Sequence, residues 1–111
     1  MKFTRMEGVL YKMGQNAAEN WDLLDKAAGD DIFFHLTKFP SCYVIMEVDD
    51  RDKDISLDMC IAGAEICKAG TKYKNLNDVR VDYCKCSNLT KGSQCGQVVY
   101  KSRRKVSTLK V

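Results

Sequence analysis

The stretch Gly14–His35, GQNAAENWDLLDKAAGDDIFFH, constrains the fold most, because it carries the signals of a helix and of the strand that follows it. Asn16 is a typical N-cap residue, and Glu19 three positions later completes a capping-box pattern. The glycines on either side, Gly14 and Gly29, are expected to adopt backbone angles that other residues avoid. Residues 32–36, IFFHL, predict a β-strand directly after the helix.

Strand patterns also occur before and after this stretch. Residues 3–13 predict a hairpin that turns at Glu7 and Gly8. Residues 42–48, CYVIMEV, are short and rich in β-forming residues, which indicates a central strand. The strands before and after Pro40 are therefore expected to pair in an antiparallel manner.

A second helix is predicted with Ser56 or Asp54 as its N-cap and Gly70 at its end. Its apolar stripe consists of Leu57, Cys60, Ile61, Ala64 and Cys67, which we interpret as core rather than as a groove for a partner.

The C-terminal part predicts three extended segments, at residues 79–83, 97–100 and 105–111, with a polar loop at residues 87–96. A basic tip, Lys101-Ser102-Arg103-Arg104, joins the last two segments. The order of elements predicts one α+β domain over residues 1–111, with a curved, mostly antiparallel sheet and two helices on one face.

Composition indicates a globular protein. The chain has 111 residues, of which 45% are hydrophobic, so its core is large enough for one domain. It lacks an apolar run of about 18 residues and the apolar centre of a signal peptide, so we expect a soluble, cytoplasmic protein without membrane insertion.

The six cysteines are expected to be reduced in that compartment. Cys60 and Cys67 fall on the apolar face of the second helix and are interpreted as core residues. Zinc binding by Cys84, Cys86 and Cys95 is the alternative, but no two-residue knuckle spacing repeats. No metal or cofactor is therefore predicted, and a reactive thiol is disfavoured because His35 is the only histidine that could assist it.

The acidic run at residues 49–54 is predicted to be an exposed loop. Its alternating carboxylates resemble a calcium loop, but the glycine and the distal glutamate of such a loop are missing.

Charge is distributed unevenly along the chain. Residues 1–67 hold 7 Lys/Arg and 13 Asp/Glu, or −6, whereas residues 68–111 hold 11 and 2, or +9. We expect the basic residues of the second half to gather on one surface beside the helix that starts after Gly14, where they would face a polyanion. An ordinary solvated surface is the alternative. The basic candidates are Lys72, Lys74, Arg80, Lys85, Lys91, Arg103 and Arg104.

The start of the first helix is a second candidate region, because its free amides and dipole favour phosphate. Gln15, Asn16 and Asn20 carry short amide side chains suited to phosphate, sugar or base edges, although Glu19 and Asp22 reduce the positive potential.

His35 with Asp30 and Asp31 would allow general-base chemistry, but no serine lies at the spacing of a known nucleophile elbow. A non-enzymatic protein is predicted, in which His35 is structural or contacts a ligand. Trp21 could stack on a base or pack half-buried against the sheet.

Two motifs in this chain resemble a known family. Gly14-x-Asn16-Ala17-x-Glu19-Asn20 and Asp30-Asp31-Ile32-Phe33-Phe34-His35 are similar to the signature of the NFACT-R domain, also called DUF814, which is the RNA-binding module of NFACT proteins. Val81-Asp82-Tyr83, Ser87-Asn88-Leu89-x-Lys91 and Gly96-Gln97-Val98 extend the resemblance, especially to the short stand-alone eukaryotic type. The chain departs from the family at Ser41-Cys42-Tyr43, where Gly-Ser-His is usual, and it lacks the coiled-coil tail.

The resemblance implies binding of structured RNA, either transfer RNA or ribosomal RNA, and a role in translation or ribosome-associated quality control at the large ribosomal subunit. Charge and residue type alone support only a nucleic-acid binder. A protein-protein interaction module that uses the sheet edge or the second helix is the alternative.

Overall fold

The computed structural model describes residues 1–48 and 55–111. The acidic run for which a loop is predicted lies outside these residues. The strands are β1 (Lys2–Met6), β2 (Val9–Met13), β3 (Ile32–Leu36), β4 (Val44–Met46), β5 (Arg80–Lys85), β6 (Leu89–Lys91), β7 (Val98–Tyr100) and β8 (Ser107–Lys110). The helices are α1 (Ala17–Lys26) and α2 (Leu57–Ala69), and two 3₁₀ turns occupy Cys86–Asn88 and Arg103–Lys105.

Six strands form one antiparallel sheet in the order β1-β2-β4-β3-β5-β8. The α+β class, the N-terminal hairpin and the antiparallel pairing across Pro40 are thereby confirmed. The loop predicted at residues 87–96 is partly wrong, because Leu89–Lys91 pairs with Val98–Tyr100 in a second, two-stranded sheet. Its polar composition concealed the strand, since only Leu89 of β6 is buried.

The two helices cover opposite faces of the main sheet, so their predicted placement on one face is wrong. Phe34 and its same-face neighbours pack with Cys60 and Ala64 of α2. Phe33, on the other face, packs with Leu23 of α1 and with residues of the second sheet. Because β3 and β4 are apolar on both sides, each face needs its own cover.

The predicted helix starts are confirmed. The Asn16 side chain accepts a hydrogen bond from the Glu19 amide at 2.9 Å, and Ser56 caps α2 through the Met59 amide at 3.2 Å. Gly70 ends α2 as predicted. Leu57, by contrast, is 60% exposed and lies outside the core.

The end of α1 differs from the prediction. The helix stops at Lys26, Ala27 is extended at φ −74° and ψ 144°, and Gly29 does not adopt a positive φ. The Asp31 carboxylate instead accepts a hydrogen bond from the Ala28 amide at 3.0 Å. This side-chain bond shapes the turn, so a left-handed glycine is not needed.

Within the described residues, neither helix has the length and apolar character needed to cross a bilayer.

Candidate functional site

The start of α1 forms one wall of a groove of about 600 Å³, which we call the entrance groove. Residues 40–42, residues 70–73 and the loop at residues 95–96 provide the other walls. Five of the predicted site residues line it: Gly14, Gln15, Asn16, Asn20 and Lys72.

Gly14 and Asn20 build the floor of the entrance groove by holding the backbone of Tyr43. The Gly14 amide donates to the Tyr43 carbonyl at 3.0 Å, and the Tyr43 amide donates to Asn20 Oδ1 at 3.3 Å. A Cβ on Gly14 would lie 2.1 Å from that oxygen. Close approach, rather than the positive φ that the sequence suggested, therefore explains this glycine.

The cations of the entrance groove are Lys2 and Lys72, and the Lys72 ammonium lies 5.5 Å from the centre of the Tyr73 ring. Glu19 at the helix start bonds the Met1 ammonium at 2.7 Å, and this bond lowers the pKa of the Glu19 carboxyl. Gln15 and Asn16 are exposed, whereas Asn20 is buried. The wall thus offers amide groups and two lysines to a ligand.

A second groove, of about 640 Å³, surrounds the basic tip, and we call it the tip groove. Its cationic lining residues are Lys85, Lys101, Arg104 and Lys105, and its one acidic lining residue is Asp30. The Lys85 ammonium lies 3.5 Å from the Asp30 carboxylate. Four cations against one carboxylate make the tip groove strongly basic.

Asn88 holds the backbone of the basic tip in place at the edge of the tip groove. Its side chain donates to the Ser102 carbonyl at 2.9 Å and accepts from the Ser102 amide at 3.0 Å, while its own carbonyl accepts from the Lys101 amide at 2.8 Å. Asn88 is 5% exposed, so these bonds are shielded from water. The basic tip is therefore tied to the 3₁₀ turn that precedes β6.

The other basic candidates line neither groove. Arg80 lines a smaller pocket beside Lys38, and Lys91 bonds Asp25 at 2.6 Å. Arg103 stacks over Tyr100 at 5.4 Å, and Lys74 is exposed. The expectation of one common surface beside the helix start is therefore wrong. The basic residues belong to different turns and strands, which the fold separates into distinct grooves.

His35 lies on the sheet face that α1 and the second sheet cover, and it lines neither groove. Its ring stacks on Phe33 with centres 6.1 Å apart and meets Tyr43 edge-on at 5.7 Å. Burial lowers the pKa of the imidazole. The neutral form is favoured in this setting.

Asp82, which the sequence indicated only as part of the Val81-Asp82-Tyr83 motif and not as a site residue, is the cross-strand partner of His35 and is 7% exposed. Its carboxylate accepts hydrogen bonds from the hydroxyls of Thr37 at 2.8 Å, Thr108 at 3.0 Å and Tyr100 at 3.3 Å. The signal in the sequence was an acidic residue placed between Val81 and Tyr83, both of which were predicted to face inward. These bonds link β5 to β8 and to the second sheet.

Comparison with known proteins identifies the family. The family model described as the NFACT protein RNA binding domain matches residues 1–102 of this chain. This chain belongs to the NFACT RNA-binding domain family. Coiled-coil domain-containing protein 25 from Mus musculus and from Bos taurus are each 30% identical over 104 residues, covering 89% of this chain and 50% of the relative. The chain thus spans about half the length of these relatives.

A solved structure of the C-terminal part of the fibronectin/fibrinogen-binding protein from Streptococcus suis is also similar. It has a TM-score of 0.84 and 26% identity, covering 98% of this chain and 43% of that chain. The match to the family model confirms the resemblance that the sequence showed, and the solved structure shows that this fold occurs in another protein.

The acidic and aromatic candidates near α1 have structural partners in this NFACT RNA-binding domain. The Asp31 carboxylate bonds the Val48 amide at 3.0 Å in addition to the turn at Ala28. Trp21 is half-buried, and its indole N–H donates to the Gln97 carbonyl at 3.0 Å. The loop that contains Gln97 thus packs on α1 and closes one side of the entrance groove, where the Tyr43 hydroxyl also bonds the Gly96 carbonyl.

The cysteines are free thiols: Cys60, Cys67, Cys84 and Cys86 are buried, Cys42 is half-buried and Cys95 is exposed. The assignment of Cys60 and Cys67 to the core is confirmed. Burial raises the pKa of Cys84, and raises that of Cys86 to about 12. Across residues 1–48 and 55–111, no three His, Cys, Asp or Glu side chains are grouped as metal ligands would be.

Proposed function

We propose that this chain is a non-enzymatic domain that binds structured RNA, either transfer RNA or ribosomal RNA. The observation that supports this most is the match of residues 1–102 to an RNA-binding domain family. We further propose that it acts in the cytoplasm, in translation or in ribosome-associated quality control, with the large ribosomal subunit as a partner. The tip groove is the proposed contact with the RNA backbone.

The charge of the tip groove supports this assignment. Folded RNA is recognised largely through its shape and phosphates, and fixed cations bind phosphates without a large ordering cost. Asn88 holds the backbone of the tip at Ser102, so Lys101 and Arg104 project from an ordered segment. Arg104 can in addition form two parallel hydrogen bonds to one phosphate.

The entrance groove is proposed as a second contact. Gln15 offers an exposed side-chain amide, and Lys2 and Lys72 offer charge among the other lining residues. Amide side chains bind sugar hydroxyls and base edges, which are accessible in unpaired nucleotides. The remaining basic candidates, Lys74, Arg80, Lys91 and Arg103, would add only long-range attraction.

The absence of catalysis is part of the proposal. Asp31 is occupied by two backbone amides, and His35 lines neither groove. We therefore expect that neither the parent protein nor the His35→Ala variant cleaves RNA. RNA cleavage that disappears in this variant would overturn the non-enzymatic assignment.

Charge reversal tests the proposed RNA contact. Arg104→Glu with Lys105→Glu should weaken binding of a transfer RNA by about tenfold or more at low salt, because two groove cations become repulsive. The matched control is Arg5→Glu with Lys38→Glu, which changes net charge equally at exposed positions outside both grooves. Fluorescence anisotropy gives the affinities, and circular dichroism checks the fold.

Equal weakening by both double variants would mean that only net charge matters and would remove the tip groove from the site. Unchanged binding by the tip variant would do the same. Absence of RNA binding by the parent protein would overturn the proposed function.

A protein-binding module is the second candidate, and the exposed edge strand β1 favours it. All five residues of β1 are exposed, with Phe3 at 61% and Met6 at 43%. The similar Streptococcus suis protein is itself named for binding fibronectin and fibrinogen. This candidate predicts a salt-insensitive protein complex that is lost in Phe3→Lys, with no RNA binding.

A further inference from the structure

Two thiols meet beneath the entrance groove. The Cys42 thiol donates to the Cys67 carbonyl at 3.6 Å, and the Cys67 thiol donates to the Cys42 carbonyl at 3.7 Å. These reciprocal bonds place the segment before β4 directly against the last turn of α2. The two side chains also contact each other directly, although the residues are 25 positions apart in the sequence.

The two thiols differ in access. Cys42 is half-buried and lines the entrance groove, whereas Cys67 has no exposed surface. The side-chain contact between the two thiols lowers the pKa of the Cys42 thiol, and the same contact, together with burial, raises the pKa of the Cys67 thiol. Cys42 is thus the accessible nucleophile, and Cys67 is a shielded thiol placed to react with it.

We propose that Cys42 and Cys67 form a peroxide-sensitive dithiol that closes to an intramolecular disulfide. The Cys42 thiolate attacks one oxygen of a hydroperoxide, the O–O bond breaks, and Cys42 becomes a sulfenic acid as water or an alcohol leaves. The Cys67 thiol then attacks the Cys42 sulfur, an S–S bond forms, and the sulfenic oxygen leaves as water. The two thiols lose two electrons, and the hydroperoxide gains them.

The disulfide would join two walls of the entrance groove. Cys42 belongs to the wall at residues 40–42, and Cys67 lies in the last turn of α2, which leads into the wall at residues 70–73. A covalent link between them fixes the width of the groove. The proposal does not rest on RNA binding, because it concerns only the chemistry of these two side chains.

The other cysteines define the selectivity of this reaction. Cys60, Cys84 and Cys86 are buried, and burial raises the pKa of each thiol, so none of them competes with Cys42 for the first attack on the hydroperoxide. Cys95 is exposed and lines the same groove, so it is the competing site for oxidation.

Thiol mapping after oxidation tests the proposal. The reduced protein is treated with hydrogen peroxide, unfolded in N-ethylmaleimide, digested and analysed by mass spectrometry. We expect a crosslinked pair of peptides that contains Cys42 and Cys67, with a mass lower by two hydrogen atoms than the separate peptides. Fragmentation separates Cys67 from Cys60 within its peptide. The crosslink should persist in Cys95→Ser and be lost in Cys42→Ser.

Three results would overturn the proposal: oxidation of Cys42 to sulfinic acid while Cys67 remains free, a disulfide between Cys42 and Cys95, or complete labelling of Cys42 after peroxide treatment. The mapping uses the unsubstituted protein, so a folding defect in a variant does not affect it.

Discussion

Gly14 is the residue at which the smallest change should have the largest effect on folding. In Gly14→Ala, the new methyl group would overlap Asn20 Oδ1 and crowd the Asn20 backbone at 3.0 Å. The helix start would have to move away from Tyr43, which should lower the free energy of unfolding by about 1–3 kcal/mol. Urea denaturation followed by circular dichroism measures this loss.

Gly29→Ala is the matched control, because its Cβ would make only an ordinary contact with Ser87 at 3.4 Å. Its stability should change by less than about 1 kcal/mol. A Gly14→Ala protein as stable as this control would show that the close packing at the helix start has been overestimated.

His35 should make stability depend on pH. Its folded pKa lies below the unfolded value of about 6.5, so the unfolded chain binds more protons as the pH falls through that range. The contribution of the neutral imidazole is therefore present above about pH 6.5 and is lost as the pH falls toward the folded pKa. The unfolding free energy of the parent protein minus that of His35→Phe should decrease from pH 7.5 to pH 5. A constant difference would contradict the burial of this side chain.

At the scale of elements, the basic tip depends on its attachment to the 3₁₀ turn at Cys86–Asn88. Asn88→Ala removes both side-chain bonds to Ser102 and leaves the part-buried Ser102 amide without this acceptor, which should cost about 1–3 kcal/mol. RNA affinity should fall as well, although no charge is removed, because the cations lose their fixed positions. Anisotropy at a temperature where the variant is folded measures this effect, and unchanged affinity would mean that the tip binds without preorganisation.

The sequence predicted elements best where the determining signal was local. The caps at Asn16 and Ser56 and the turn at Glu7 and Gly8 each depend on a few neighbouring residues, and each is confirmed. The end of α1 was predicted wrongly because a side chain beyond the helix, Asp31, supplies the bond that a left-handed glycine was expected to supply.

At the scale of the whole molecule, the prediction failed where distant segments had to be placed relative to each other. The apolar sequence of β3 and β4 already required cover on both faces, yet the two helices were assigned to one. The basic residues of the second half follow one another in sequence, but strand pairing distributes them over separate grooves. The sequence could not show that Gly14 and Asn20 hold the backbone of Tyr43, because Asn20 and Tyr43 are 23 positions apart.

The salt dependence of RNA binding tests the central claim most directly, because each phosphate contact contributes about 0.7–0.9 to the slope of log K against log salt concentration. With transfer RNA, the slope for Arg104→Glu with Lys105→Glu should be shallower than that of the parent protein by about 1.5, whereas Arg5→Glu with Lys38→Glu should leave it unchanged. Identical slopes for all three proteins would contradict the assignment of the tip groove to the RNA backbone.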